Sequence, residues 1–357
     1  MFLTALILRN FRNHKEIELS FSPKTNLIVG DNGVGKTSLL EAISLLSTGR
    51  SFRSPLLQEV IGFGGSHFYM EAHFIKEGIS QTLKIGYDGS SKKIEHNANP
   101  LPSFSSLLGL LPSVLYAPKD ISLIMGSPDD RRRFLNLYLG QKKPLYVHHL
   151  LRYTKALKHR NALLKKGAEA DPLSLGCFEQ EMALSSHYLM QERSLALQAF
   201  QSRLAALIPS LSLEPESFTL HYTPSLKMQA PFSHEFLRQQ YERYRKKELL
   251  LRTSLVGPHR DDFLISRNSK PAKAFCSEGQ KRCFLSALKL SEWDLLSETH
   301  ENKPLMCIDD MGIHLDASRE SLLEKSLHHL GQVFITSPKE LPKLKPDKVI
   351  NLSNPLL

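Results

Sequence analysis

Gly30-Asp31-Asn32-Gly33-Val34-Gly35-Lys36-Thr37 sits between a short apolar run, Thr25-Asn26-Leu27-Ile28-Val29, and a segment in which Leu39, Leu40, Ile43 and Leu46 recur at helical spacing. The octet fits G-x-x-x-x-G-K-[S/T] in the strand–turn–helix context that the pattern requires. Gly33 and Gly35 let the backbone curl until its N–H groups converge on phosphate oxygens. The helix that follows adds its N-terminal dipole to the same anion. Lys36 is placed to reach the β- and γ-phosphates, and the Thr37 hydroxyl to ligate Mg²⁺. Gly30, Asp31, Asn32, Gly33, Val34, Gly35, Lys36 and Thr37 are therefore the candidate ATP-binding residues, with Lys36 also a catalytic candidate. At ordinary residue frequencies such a match arises by chance roughly once per hundred chains of this length.

Two further segments extend the site. Leu305-Met306-Cys307-Ile308 ends in Asp309-Asp310, an apolar strand leading to acids. That arrangement suits Asp309 to Mg²⁺ and Asp310 to orienting or deprotonating an attacking water. Asp309 follows Thr37 only after most of the chain, so a long insertion divides one nucleotide site. Before it comes Cys276-Ser277-Glu278-Gly279-Gln280-Lys281-Arg282. Taken alone, this reads most simply as a Ser-capped helix start. It is also a second anion-binding device: a hydroxyl, a glycine N–H and a helix dipole. A second γ-phosphate reader, Ser277, Gly279 and Gln280, suggests ATP sandwiched between two subunits. In order and spacing the trio resembles the ABC ATPase superfamily.

Composition sets the class of partner. The 357 residues carry 46 Lys+Arg against 36 Asp+Glu, a net +10, with 41% hydrophobic and 23% charged residues. These are globular values, and the basic excess points to a polyanion. Residues 129–168 hold eleven cations against Asp129 and Asp130 alone. Arg131, Arg132, Arg152, Lys155 and Lys158 are the candidate DNA-binding residues, though a solvated helix face would look the same. The four cysteines form no CxxC pair and read as reduced cytosolic thiols. No apolar run is long enough to cross a membrane, and Met1–Leu6 does not read as a signal peptide, so a cytoplasmic location is expected. No internal repeat stands out.

The expected architecture is α/β: an ABC-type P-loop ATPase head with a mostly helical inserted lobe. Residues 1–127 form the N-terminal part of the head, 128–253 the insertion, and 254–357 the C-terminal part. Breaks in the helical stretch are expected near Gly140, Gly167–Gly176 and Pro209–Pro231.

Several stretches make a closer resemblance. Arg9-Asn10-Phe11-Arg12-Asn13, Ser38–Ile43, Gly49-Arg50-Ser51-Phe52-Arg53-Ser54, Gly126-Ser127-Pro128 with Arg131-Arg132 and Phe134-Leu135-Asn136, and Gly257–Phe263 are similar to motifs of the RecF family, relatives of the SMC-type ATPases. The resemblance runs over nearly the full length. It implies an ATP-dependent homodimer that binds double-stranded and gapped DNA and helps load recombinase, with RecO and RecR as partners. It also implies slow ATP hydrolysis that releases the dimer. There are departures: Lys119 stands where the family usually has an acid, and Ile313-His314-Leu315-Asp316 replaces Ser-Glu-Leu-Asp. In place of a switch histidine the chain has Ile335-Thr336-Ser337, making Thr336 the candidate γ-phosphate sensor. The ATPase subunit of a membrane transporter is the alternative reading. The long basic insertion and the absent histidine weigh against it. A structural SMC-type clamp would need sustained heptads that residues 128–252 lack. A small-molecule kinase would leave Ser277–Gln280 unexplained.

Overall fold

The computed structural model describes residues 1–211, 217–226, 232–298, 303–310, 329–341 and 344–353. Strands are β1 (Phe2–Phe11), β2 (His14–Ser20), β3 (Thr25–Val29), β4 (Phe68–Lys76), β5 (Ile79–Tyr87), β6 (Lys92–His96), β7 (Asn99–Pro100), β8 (Ser113–Tyr116), β9 (Phe218–Thr223), β10 (Asp262–Arg267), β11 (Lys270–Pro271), β12 (Leu305–Ile308), β13 (Val333–Ser337) and β14 (Lys348–Asn351). Helices are α1 (Lys36–Thr48), α2 (Ser122–Met125), α3 (Pro128–Lys142), α4 (Pro144–Leu164), α5 (Pro172–Leu211), α6 (His234–Leu251), α7 (Ala272–Phe275) and α8 (Glu278–Ser297). The chain forms two compact units. One is Met1–Asp120, Pro209–Leu213 and Cys283–Leu357; the other is Ile121–Ile208 and Glu214–Arg282.

The first unit carries two sheets. The antiparallel one runs β2-β1-β4-β5-β6-β7 and the parallel one β14-β3-β13-β12-β8. The parallel strands are continuous apolar runs because both faces are covered; Leu305–Ile308 and Val333–Ser337 are buried throughout. Leucines of α1 join residues of both sheets in one core cluster. That explains why α1 is buried almost all round rather than along one stripe. Gln332, 1% exposed, links the sheets: its amide bonds the N–H and C=O of Leu3 at 2.6 and 2.7 Å and the Ser22 carbonyl at 2.7 Å.

The second unit is helical with a small β11-β10-β9 sheet. The break expected over Gly167–Gly176 occurs, with α4 ending at Leu164 and α5 beginning at Pro172, and the one expected near Gly140 falls at Lys143. Gly140 itself lies inside α3 and Gly176 inside α5, since a single glycine costs a helix only about 1 kcal/mol. The turn at Lys143 comes just before Pro144 at the start of α4. Residues 254–282, grouped in the sequence with the head, pack in this second unit. Gly257–Asp262 is its knot. Arg193, 2% exposed, donates to the Pro258 carbonyl at 2.6 Å and to Asn136 Oδ1 at 3.0 Å. Asp261 accepts from the Tyr222 hydroxyl at 2.5 Å and the Ser225 N–H at 2.8 Å. Gly257 has φ +120°, and a Cβ there would sit 2.4 Å from the Tyr153 hydroxyl. These residues tie α3, α4, α5 and β9 together.

Candidate nucleotide site

The strand order positions the chemistry. In β3-β13-β12 the carboxyl ends of three adjacent parallel strands carry the phosphate loop, Thr336 and Asp309, the place where open α/β sheets present ligand sites. Asp309 Oδ1 accepts from the Thr37 hydroxyl at 3.0 Å and the Thr336 hydroxyl at 2.8 Å. The Asp310 N–H donates to Thr336 Oγ1 at 2.9 Å, and Asp310 takes a left-handed backbone, φ 56°. Thr336 is fully buried. Its hydroxyl serves the two acids here, so its direct contact is with the acidic pair. Burial pushes the Asp309 carboxyl above its ordinary range, against the pull of its hydroxyl partners. Lys36, buried, donates to the carbonyls of Gly30 at 2.6 Å and Asp31 at 2.9 Å. Its ammonium is thus satisfied within the loop it would use to hold a phosphate.

A wall behind the loop was not legible as such. Asn13 Nδ2 donates to the Gly33 carbonyl at 2.9 Å, and His14 Nε2 lies 3.1 Å from the Gly35 carbonyl. Burial lowers the His14 pKa. Gly33 (φ +89°) and Gly35 (φ +105°) hold the left-handed turns, and a Cβ on Gly35 would meet His14 Nε2 at 2.4 Å. Tying down two loop carbonyls leaves the loop's N–H groups to face the anion. Behind α1, buried Glu41 takes a forked pair of bonds from Arg12, at 2.9 and 2.6 Å, and one from the Ser51 hydroxyl at 2.5 Å. Arg53 stands 3.6 Å from the same carboxylate. Three of the quoted segments, Arg9–Asn13, Ser38–Ile43 and Gly49–Ser54, meet at this one acid. Lys119 donates to the Phe52 carbonyl at 3.2 Å. Neighbouring Asp120 instead faces buried Lys289 at 3.6 Å. Ile313–Asp316 lie outside the described residues.

Ser277 and Gln280 lie in the second unit at the start of α8. Ser277 N–H donates to Gln280 Oε1 at 2.9 Å, and Gln280 N–H to Ser277 Oγ at 3.3 Å. This is a reciprocal capping box, so the simple reading of this turn holds locally. A hydroxyl has one donor and two acceptor positions, and exposed Ser277 uses only an acceptor position in this box.

The basic segment divides. Arg131 makes a forked ion pair with Asp262 at 2.6 and 2.9 Å, and its side chain is 11% exposed. Arg132 bonds the Asp261 carbonyl at 2.6 Å and pairs with Asp129. These two hold the knot of the second unit rather than a free cationic face. Arg152 pairs with Glu181 at 2.5 and 2.6 Å. Arg160 is fully buried between Glu179 and Glu248. Lys155 and Lys158 are exposed and make no ion pair with any described residue.

A phosphate loop and a strand-end acid at adjacent carboxyl ends of a parallel α/β sheet mark an ABC-type ATPase head. A family model described as "RecF/RecN/SMC N terminal domain" matches residues 2–354. The "DNA replication and repair protein RecF" of Protochlamydia amoebophila is 41% identical over 355 residues, covering 98% of each chain. That of Chlamydia abortus is 40% identical, covering 94% of this chain and 92% of its own. The structure described as "recombination mediator protein RecF-ATP in RecFOR pathway" superposes with TM-score 0.92 at 30% identity, over 99% of this chain and 96% of that one. An Smc head bound to a ScpA domain gives 0.58 at 14% identity, a likeness of fold. The chain belongs to the RecF family.

Proposed function

We propose that this chain is an ATP-dependent, dimerising DNA-binding protein of DNA replication and recombinational repair. In this reading it binds double-stranded DNA near single-strand gaps in the cytoplasm and helps load recombinase, with RecO and RecR as partners. The observation that carries the reading is the cluster of Lys36, Thr37, Thr336, Asp309 and Asp310 at three adjacent strand ends. The full-length RecF relatives support it and leave the transporter reading without support.

ATP would enter with its β- and γ-phosphates over the loop N–H groups. Lys36 would exchange its two carbonyl bonds for phosphate oxygens, trading neutral acceptors for charged ones. Thr37 and Asp309 offer hard oxygen donors 3.0 Å apart, a pair that fits Mg²⁺. When bound, the ion would neutralise phosphate charge. Asp310 would hold the attacking water, its backbone fixed by Thr336. Ser277, Gly279 and the α8 dipole would read the γ-phosphate held by a second copy, closing a sandwich dimer only with ATP. Slow hydrolysis would reopen it. Closure would align the Lys155–Lys158 faces of two copies along one duplex.

Ser277→Arg tests the sandwich. The variant should bind ATP as the parent does yet stay monomeric in sedimentation with a non-hydrolysable analogue. Dimerisation of this variant with ATP would overturn the model.

A further inference from the structure

The C-terminal half of α6 carries a surface that neither the nucleotide site nor the DNA strip uses. Arg243, Lys246 and Lys247 are exposed there, at spacings of three and four that share one face. The same face ends in Leu250, 84% exposed, with Leu251, 53% exposed, and Arg252 at the helix terminus. The end of α4 lies alongside. Leu164 of α4 and Leu249 of α6 share one apolar cluster, Arg160 reaches Glu248 at 2.6 Å, and Asn161 accepts the Ser254 N–H at 2.9 Å. Lys165 and Lys166 follow directly and are exposed.

None of these six cations forms an ion pair with a described residue, whereas other cations of this unit do. The nearby acids are largely engaged. Glu248 is buried under Arg160, and Glu242 lies 3.8 Å from Arg238, leaving exposed Glu169 and Asp171 against six positive charges. Cations at a helix C-terminus complement its dipole, which is worth at most about 1 kcal/mol each at the surface. The dipole accounts for charge and leaves two water-exposed leucines unexplained. Polyanion binding leaves them unexplained too, because phosphate contacts need no aliphatic side chain. A second copy of this face would bring six like charges against six.

We propose that this end of the second unit docks an acidic protein segment bearing bulky apolar side chains. Leu250 and Leu251 take its apolar groups, while Arg243, Lys246, Lys247, Arg252, Lys165 and Lys166 meet its carboxylates. The division of labour is the usual one: charges steer and orient, and buried apolar anchors hold.

The test uses the full chain and three fluorescein-labelled probes at physiological salt: a peptide of alternating Asp and Leu, the same peptide with Ser for Leu, and a DNA duplex. The Asp-Leu peptide should bind at least tenfold tighter than the Asp-Ser peptide. Leu250→Ser with Leu251→Ser should weaken it at least tenfold while leaving the duplex affinity unchanged. Lys246→Glu with Lys247→Glu should also abolish peptide binding. Both variants change exposed residues, and an unchanged thermal melt checks that they fold. Equal binding of the two peptides, indifference to the leucine substitutions, or no peptide binding would overturn the proposal. So would loss of duplex binding, without peptide binding, on the lysine substitutions.

Discussion

Gly35→Ala is the sharpest test of how the phosphate loop is held. Gly35 has φ +105°, and its Cβ would lie 2.4 Å from His14 Nε2 and 2.7 Å from Asn13 Nδ2. A left-handed alanine costs about 1–2 kcal/mol. Displacing the two side chains forfeits bonds worth ~1 kcal/mol each. The total, about 3–4 kcal/mol, would appear as loss of the cradle geometry and weaken ATP by two orders of magnitude or more. Gly33→Ala is the internal control. Its φ is +89°, but nothing lies within 4 Å of its Cβ, so only the backbone term of about 1–2 kcal/mol applies. Fluorescent-nucleotide titration should rank Gly35→Ala far below Gly33→Ala. Adding His14→Ala to Gly35→Ala should recover part of the loss by removing the ring that clashes. Equal effects at the two glycines, or no recovery, would refute the wall formed by Asn13 and His14.

Other expectations follow from the same geometry. Thr336→Val should leave ATP affinity near that of the parent but slow hydrolysis at least tenfold, since Asp309 loses a donor and the Asp310 N–H its acceptor at ~1–3 kcal/mol; single-turnover assays check this. Arg131→Ala should destabilise the second unit by about 3 kcal/mol, as a forked, mostly buried pair is broken, without changing the salt slope of DNA binding. Lys155→Ala with Lys158→Ala should do the reverse, flattening that slope by about 1 per lost contact. His259 accepts at Nδ1 from the Tyr153 hydroxyl, 2.5 Å away, while its Nε2 lies 3.3 Å from the Ser254 carbonyl; burial pushes its pKa down to about 4. The unfolded chain takes up that proton first. Stability is therefore complete above pH ~6.5 and falls as pH drops towards 4, by up to about 3 kcal/mol. His259→Gln should flatten this acid slope in urea melts.

The parallel sheet was legible because buried strands read as continuous apolar runs and because the loop pattern needs its strand and helix. The acid at the end of β12 was legible for the same reason. Helix ends in the second unit were legible only roughly: the break expected over Gly167–Gly176 lies between α4 and α5, whereas Gly140 itself stays inside α3 and Lys143–Pro144 makes the turn. Strand β9, amid helices, pairs with β10 and depends on a partner distant in sequence. Charge was the weakest guide. Arg131 and Arg152 count as cations in the sequence, but their carboxylate partners Asp262 and Glu181 are far along the chain, while Arg132 pairs with Asp129 close by. Asn13 and His14 gave only a spacing before the loop. A hairpin turn between β1 and β2 brings them beneath it, which local pattern does not reveal.

The central claim is that ATP closes a DNA-binding dimer. Duplex affinity measured without nucleotide, with ADP and with a non-hydrolysable ATP analogue tests it directly. The account requires binding at least tenfold tighter with the analogue alone. Equal binding in all three states, or none, would detach the basic face from the nucleotide site and contradict the account.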